Sequence, residues 1–370
     1  MKKIKVLTVF GTRPEAIKMA PLVKELEKYP ETFKSVVCVT AQHRQMLDQV
    51  LKLFDIKPDY DLNIMKPNQN LWTITSEVLL LMKDVFDECK PDIVLVHGDT
   101  TTSMAAALSA FYARIPVGHV EAGLRTFDKH YPFPEEINRV FADAVCTYHF
   151  APTETSVENL VKSAIPQEHI YKTGNTVIDA LLHTVENNKA DLSYIGLNPD
   201  LKTILLTSHR RENFGEPIRN ICKAVLELVE NNKDIQVVYP VHLNPNVQQP
   251  VKELLGGKER ILLIDPMEYA PFCSLMKEAH IIMTDSGGVQ EEAPSLGKPV
   301  LVLRSTTERP EAVEYGTVKL VGTNTNKIVE EVQNLLDNPD EYKKMSESIN
   351  PYGDGLACQR IVEIIKKELG

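Results

Sequence analysis

Short apolar runs alternate along the chain with stretches in which apolar residues recur at helical spacing. In the first half, residues 5–10 read as a strand and Gly11 as the turn out of it. Thr12-x-x-Glu15 then reads as a capping box, with Pro14 tolerated in the first helical turn. Met19, Leu22, Val23 and Leu26 follow at i, i+3, i+4 and i+7, the face that packs on a sheet. Strand 36–40 leads into an amphipathic helix carrying Met46, Leu47, Val50, Leu51 and Phe54. A helix over 72–89 precedes strand 93–96, and helix 101–113 ends before Pro116. Strand 117–120, a helix opened by Pro134, strand 144–150 and helix 153–163 follow. The second half repeats the alternation with strands 203–207, 235–241, 261–264 and 281–284 and helices 218–230 and 269–279. Strand, helix, strand at this spacing gives parallel sheets with right-handed crossovers, an α/β architecture.

The central stretch, 97–139, carries the chemistry of the first half. One strand ends at His97-Gly98-Asp99 and the next at Glu121, so a βαβ unit brings both acids to one sheet edge, the carboxyl end at which open α/β sheets bind ligands. Capping of the following helix, with its Thr100 to Thr102, is an alternative role for Asp99; Glu121 has no such explanation. Pro134-Glu135-Glu136 adds further acids at the head of a helix that carries Arg139. Arg13 and Lys18, at the start of the first helix, can reach a phosphate or carboxylate.

At 370 residues the chain suggests two domains of roughly 150 residues or more each. The polar run 186–201, rich in Asn and containing Pro199, lies near the expected boundary. A formal charge of -10 argues against a general binder of nucleic acid or of membrane surfaces, so any phosphate site must be local. The six cysteines form no Cys-x-x-Cys pair, the pattern of a reduced cytoplasmic protein without a zinc site. The basic start followed by an apolar run is too short for a signal peptide, and no stretch approaches the ~18 apolar residues of a membrane span.

In the second half a strand runs into Asp285-Ser286-Gly287-Gly288 and then a helix start. Two glycines allow close approach of backbone to a diphosphate, and Glu291 or Glu292 is placed to take the hydroxyls of a ribose. The sequence is neither a Walker A nor a Gly-x-Gly-x-x-Gly turn. His209 also follows a strand and precedes Arg210 and Arg211. It serves either as a neutral core hydrogen-bonder or as a donor to phosphate that steadies a leaving group.

Taken together, Phe10-Gly-Thr-Arg-Pro-Glu-Ala-Ile-Lys18, Thr40-Ala-Gln-His-Arg44, His97-Gly-Asp-Thr-Thr101, Gly118-His-Val-Glu-Ala-Gly-Leu-Arg125, Pro134-Glu-Glu-x-Asn-Arg139, His209-Arg-Arg-Glu212, Asp285-Ser-Gly-Gly288 and Asn350-Pro-Tyr-Gly-Asp-Gly355 resemble the non-hydrolysing UDP-N-acetylglucosamine 2-epimerases. The resemblance runs from the first strand to the last helix. It implies the glycosyltransferase-B fold: two Rossmann-like domains whose parallel sheets face a cleft, here 1–172 with a returning helix 355–370, and 173–354.

The same resemblance implies that Arg13, His209, Ser286 and Gly287 meet the diphosphate, with Gly288 also in the UDP site, that Glu292 holds the ribose and that Phe272 lies near the uracil. Asp99, Glu121 and Glu135 match the catalytic acids, with Lys18 and Arg139 beside them and His209 assisting. It implies no metal, no nicotinamide or other cofactor, a homodimer, and UDP-N-acetylglucosamine and UDP-N-acetylmannosamine as substrate and product, made for surface polysaccharides. Some bacterial members bind a second UDP-N-acetylglucosamine through positions matching Gln42, His43, Gln45, Gln69, Arg210 and His242; Asn68 stands where regulated members often have arginine. The family couples loss of the carbon 2 proton to departure of UDP, giving 2-acetamidoglucal, and then re-adds UDP. The competing readings are a glycosyltransferase of the same fold, a hydrolysing epimerase, an epimerase of a related sugar, and a binding module without turnover.

Overall fold

The computed structural model describes residues 2–42, 44–307 and 309–370. It divides into two compact units, residues 1–180 with 352–370, and residues 181–351. In the first unit the strands are β1 (Ile4–Phe10), β2 (Phe33–Val39), β3 (Tyr60–Asp61), β4 (Ile93–His97), β5 (Val117–Val120), β6 (Tyr148–Ala151) and β7 (Ile170–Lys172). They form one parallel sheet in the order β3-β2-β1-β4-β5-β6-β7. The second unit contains β8 (Lys202–Thr207), β9 (Ile235–Pro240), β10 (Ile261–Ile264), β11 (Ile281–Thr284), β12 (Val300–Val302) and β13 (Val318–Leu320). Its order is β10-β9-β8-β11-β12-β13, again parallel throughout.

Each sheet is doubly wound. The chain builds outward from its first strand in one direction, then returns to the other side of it, so the strand order reverses between β1 and β4 and between β8 and β11. At such a switch point the loops leaving neighbouring strands diverge to opposite faces and open a crevice at the carboxyl ends.

The central strands are apolar on both faces, as helices on both sides require. In the first unit Leu7, Val9, Val94 and Val96 pack with Met82 and Phe86 of the helix Leu71–Cys89. Ala105, Ala106 and Ala110 of the helix Thr101–Tyr112 join them, and these small side chains let the helix lie close to the sheet. The second core gathers Ile204, Leu206, Val237, Tyr239, Ile281 and Met283 with Ile221, Val225 and Leu228 of the helix Glu216–Asn231.

The division falls at 180/181 and 351/352, whereas the sequence places it at 172/173 and 354/355. Hydrogen bonds account for the difference. Asn175 N donates to the Tyr352 carbonyl at 2.7 Å, and the Asp179 carboxylate accepts from Cys358 N at 2.8 Å. Residues 173–180 and the segment from Tyr352 onward therefore tie to one another and to the first unit. The final helix, Ala357–Leu369, packs against the first helix, Arg13–Glu27.

Candidate active site

In the first unit the candidate residues sit on the loops leaving β1, β4 and β5 and on the helices Arg13–Glu27 and Glu135–Val145 that follow. Gly11 has no room for a side chain, since a Cβ there would stand 1.9 Å from Thr40 Oγ1. This close approach seats the β1 turn against the β2 exit. Glu15 accepts from Gly11 N at 3.0 Å and Thr12 N at 2.8 Å, its half of the expected box. Its other oxygen accepts from the hydroxyls of Thr100 at 2.6 Å and Ser103 at 2.8 Å, so one buried carboxylate with four donors joins the β1 and β4 exits. Arg13 is partly buried at the start of the helix and makes no side-chain hydrogen bond or ion pair among the described residues.

Asp99 does not cap the following helix. Thr100 does, its hydroxyl accepting from Ser103 N at 3.0 Å. The Asp99 carboxylate is instead held through Oδ2 by Arg139 Nη2 at 2.6 Å and Nε at 3.0 Å, and its carbonyl accepts from Asn138 Nδ2 at 2.8 Å. Arg139 also meets Glu136 at 3.1 Å, and Glu136 accepts the amides of Thr126 and Phe127 at 3.0 Å each. That gives Glu136 a structural task. Its neighbour Glu135, the partly buried first residue of the helix Glu135–Val145, has no side-chain partner among the described residues.

Glu121 has a left-handed backbone, φ 63°, rarely taken by a residue with a Cβ and typical of functional sites. Its side chain is only 8% exposed, ion-paired with Lys18 and hydrogen-bonded from Asn175 Nδ2 at 2.8 Å. His97 Nε2 stands 3.7 Å away, buried and without a hydrogen bond. Burial opposes the charge on Glu121, but Lys18 and then His97 outweigh it and hold the carboxyl well below the usual carboxylate range. Glu121 is thus a standing negative charge, while Glu135 keeps its hydrogen-bonding capacity for an incoming group.

In the second unit the exits of β8 and β11 meet through Asp285. This fully buried carboxylate accepts through Oδ2 from Ser208 Oγ at 2.9 Å, His209 N at 2.8 Å, Arg210 N at 2.9 Å and Asn213 Nδ2 at 2.9 Å. His209 Nδ1 lies 3.6 Å from its other oxygen, and the ring stacks on His242 with centroids 5.4 Å apart. Burial lowers the His209 pKa, against the pull of Asp285, so the neutral ring prevails at pH 7. His209, His242, Phe272 and Ser286 line a cavity of about 200 Å³ with Pro240 and Met267.

Ser286 stands at the N-cap position of the short helix Gly287–Glu292 without a side-chain capping bond. A Cβ at Gly287 would lie 3.7 Å from Arg210 Nη2 and 4.0 Å from Arg309 Nη2, so two guanidiniums face the bare turn. Glu292, near Gly288, is buried and accepts from the Tyr269 hydroxyl at 2.7 Å. Glu291 pairs with Arg309 instead, which leaves Glu292 as the carboxylate beside the glycines. Exposed amides, two arginines and a histidine donor around a cavity with an aromatic wall suit a nucleoside diphosphate.

The structure therefore brings Lys18 to Glu121, Arg139 to Asp99, and His209, Phe272, Ser286 and His242 to one cavity. Gln42 and Gln69 are joined by a 3.3 Å bond, while Gln45 is exposed; His43 lies outside the described residues. Arg210 and His242 lie at the diphosphate turn and against His209. Sequence reasoning missed Asn175 and Arg309 and took Glu15 only for a cap. Asn175 follows a strand and a glycine, a usable signal; nothing local marks Arg309, whose place depends on the tertiary fold. Among the described residues no cluster of His, Cys, Asp and Glu could hold a metal ion.

A family model described as UDP-N-acetylglucosamine 2-epimerase matches residues 24–366. The UDP-N-acetylglucosamine 2-epimerase of Escherichia coli (strain K12) is 58% identical over 371 residues, covering 98% of both chains. That of Bacillus subtilis (strain 168) is 59% identical over 363 residues, covering 98% of this chain and 95% of the relative. The crystal structure of the Neisseria meningitidis UDP-GlcNAc 2-epimerase bound to UDP-GlcNAc superposes with a TM-score of 0.87 at 55% identity, covering 98% of this chain and 100% of that one.

Proposed function

Because the chain belongs to the UDP-N-acetylglucosamine 2-epimerase family, we propose that this isomerase inverts carbon 2 of UDP-N-acetylglucosamine by eliminating UDP and adding it back. The observation that carries the proposal is the position of the two residue sets. Acids with paired cations stand at the carboxyl ends of β4 and β5, and a diphosphate-suited turn stands at those of β8 and β11, on or beside each sheet's switch point.

A base removes the carbon 2 proton as the bond from carbon 1 to the UDP oxygen breaks, leaving 2-acetamidoglucal and UDP. A proton then returns to the opposite face of carbon 2 while that oxygen re-forms its bond to carbon 1, giving UDP-N-acetylmannosamine. Proton transfer on two faces needs more than one carboxyl group, which Asp99, Glu121 and Glu135 supply. Lys18 keeps Glu121 ionised, and Arg139 orients Asp99. Arg13, His209, the Ser286 hydroxyl and the Gly287 and Gly288 amides stabilise the departing diphosphate, the Ser286 amide being held by Thr284 Oγ1 at 3.0 Å; Glu292 takes the ribose, and Phe272 lies near the uracil.

The same proposal places the enzyme in the cytoplasm, supplying N-acetylmannosamine-type sugars for surface polysaccharides, and makes it a homodimer. Exposed Trp72, Leu80, Phe111 and Tyr112 on two helices packed together support the dimer, and none of the described helices is long and apolar enough to cross a membrane. A second UDP-N-acetylglucosamine acting as activator would use Gln42, Gln69, Arg210 and His242. The activity is tested by incubating pure protein with UDP-N-acetylglucosamine alone and following the sugar by proton NMR. The manno nucleotide sugar is expected; unchanged substrate would refute the reading, and free N-acetylmannosamine would point to hydrolysis instead.

A further inference from the structure

His119, in β5, is completely buried, and both ring nitrogens face acceptors. Nε2 lies 2.7 Å from the Gly98 carbonyl, which can only accept, so Nε2 carries a proton. Nδ1 lies 2.5 Å from Asp143 Oδ1, and the other oxygen of Asp143 accepts from Arg125 Nη2 at 2.5 Å. A carboxyl group paired with a guanidinium is ionised and also accepts, so Nδ1 carries a proton as well. Both nitrogens facing acceptors is the arrangement that an imidazolium satisfies.

The surroundings sustain that charge. Burial disfavours it, but Asp143 and the Gly98 carbonyl outweigh burial and raise the His119 pKa, against a smaller opposing push from Arg125. Asp143 is itself held low, burial notwithstanding, by His119 and Arg125. His149 faces the same aspartate, its Nε2 3.0 Å from the Asp143 carbonyl, and burial pushes its pKa down. Burial pushes the Cys146 thiol up, so it adds no charge.

Gly98 is the left-handed residue, φ 63°, immediately before Asp99. Asp143 lies on the helix Glu135–Val145, which opens with Glu135 and also supplies Asn138 to the Asp99 carbonyl and Arg139 to its carboxylate. We propose that His119 is a buried, charged positioning residue that clamps the Gly98-Asp99 turn to the helix headed by Glu135, and so sets the spacing of two of the reacting acids. The clamp makes three attachments between that turn and that helix, of which the imidazolium is the one farthest from solvent. It rests on the roles proposed above for Asp99 and Glu135.

The test begins with histidine ¹⁵N NMR of the substrate-free protein, the His119 signals being those lost in His119→Gln. Both nitrogens are expected to stay protonated above the ordinary histidine pKa of about 6.5; a neutral ring at pH 7.5 would overturn the proposal. In the steady state, His119→Gln and Asp143→Asn should each lower kcat by about 10-fold to 100-fold, as a small misplacement of reacting groups does. KM and the Kd for UDP should stay within about twofold of wild type, and the double variant should be no worse than the worse single one. Retained kcat, or a loss appearing in KM, would overturn it. If His119→Gln does not fold, Asp143→Asn and the wild-type resonances decide between the same outcomes, the His119 signal then being identified by its shift in Asp143→Asn once His149→Gln has removed the signals of the other ring at that aspartate. Failure of wild type to epimerise would refute the proposed function and leave the charge measurement standing.

Discussion

Replacing Lys18 by Met removes the main partner of a buried carboxylate while keeping most of the side-chain volume. The two side chains are 15% and 8% exposed, so solvent screens their interaction little. Asn175 still donates to Glu121 at 2.8 Å, but no cation remains in hydrogen-bond contact, His97 being 3.7 Å away. Stranding one member of a buried ion pair costs about 3–5 kcal/mol, and the surviving Asn175 bond argues for the lower end. In a unit of this size about 3 kcal/mol lowers Tm by roughly 6–12 °C.

The pH dependence has a definite sign. The folded-state pKa of Glu121 is depressed, so its stabilisation is present above the unfolded value of about 4.3 and is lost as pH falls through the lower folded value. The gap between wild type and Lys18→Met should be full at pH 7, shrink in acid and close only once pH falls below the depressed folded value. Adding Glu121→Gln to Lys18→Met should recover stability, because an amide tolerates that site without a cation. Urea unfolding of the four proteins across pH gives the comparison. A Lys18→Met midpoint equal to wild type at pH 7, or strict additivity in the double variant, would refute the reasoning.

Asp99→Asn and Glu135→Gln should each lower turnover by about 100-fold or more while UDP affinity, by calorimetry, changes little; an intact rate would remove that residue from the mechanism. His209→Asn should weaken UDP binding as well as turnover, since the ring is placed to donate to phosphate; unchanged affinity would move it out of the site. Activity should survive EDTA and dialysis, and loss restored by a divalent ion would contradict this. Gly11→Ala should unfold at lower urea than wild type, because its Cβ would stand 1.9 Å from Thr40 Oγ1; an unchanged midpoint would show that the β2 exit yields.

The alternation of apolar strands and helical faces was enough to place Asp99, Glu121, His209 and Asp285 at strand ends, because local periodicity marks where a parallel strand stops. Strand β3 is two residues long and β12 and β13 three each, too short for any period to register. Capping in Asp99-Thr100-Thr101-Thr102 was ambiguous in sequence, since both acid and hydroxyl are good caps; the helix start chose Thr100 and left Asp99 to Arg139. Asn175 and Arg309 act on partners 54 and 18 residues away, and such pairings arise only once the sheets are assembled. His119 sits inside an apolar strand, where its charge is evident only from the Asp143 and Gly98 oxygens that face it. The domain limits were blurred for a related reason: the helix Thr176–Asn187 begins tied to the C-terminal segment and continues past the division.

Elimination and re-addition require carbon 2 to lose its proton in every turnover, so the decisive measurement is the reaction run in deuterium oxide. Proton NMR and mass spectrometry should find deuterium at carbon 2 of the UDP-N-acetylmannosamine formed, and of the UDP-N-acetylglucosamine re-formed by reversal. Epimerised product that retains protium fully at carbon 2 would contradict elimination, and with it the roles given to Asp99, Glu121 and Glu135.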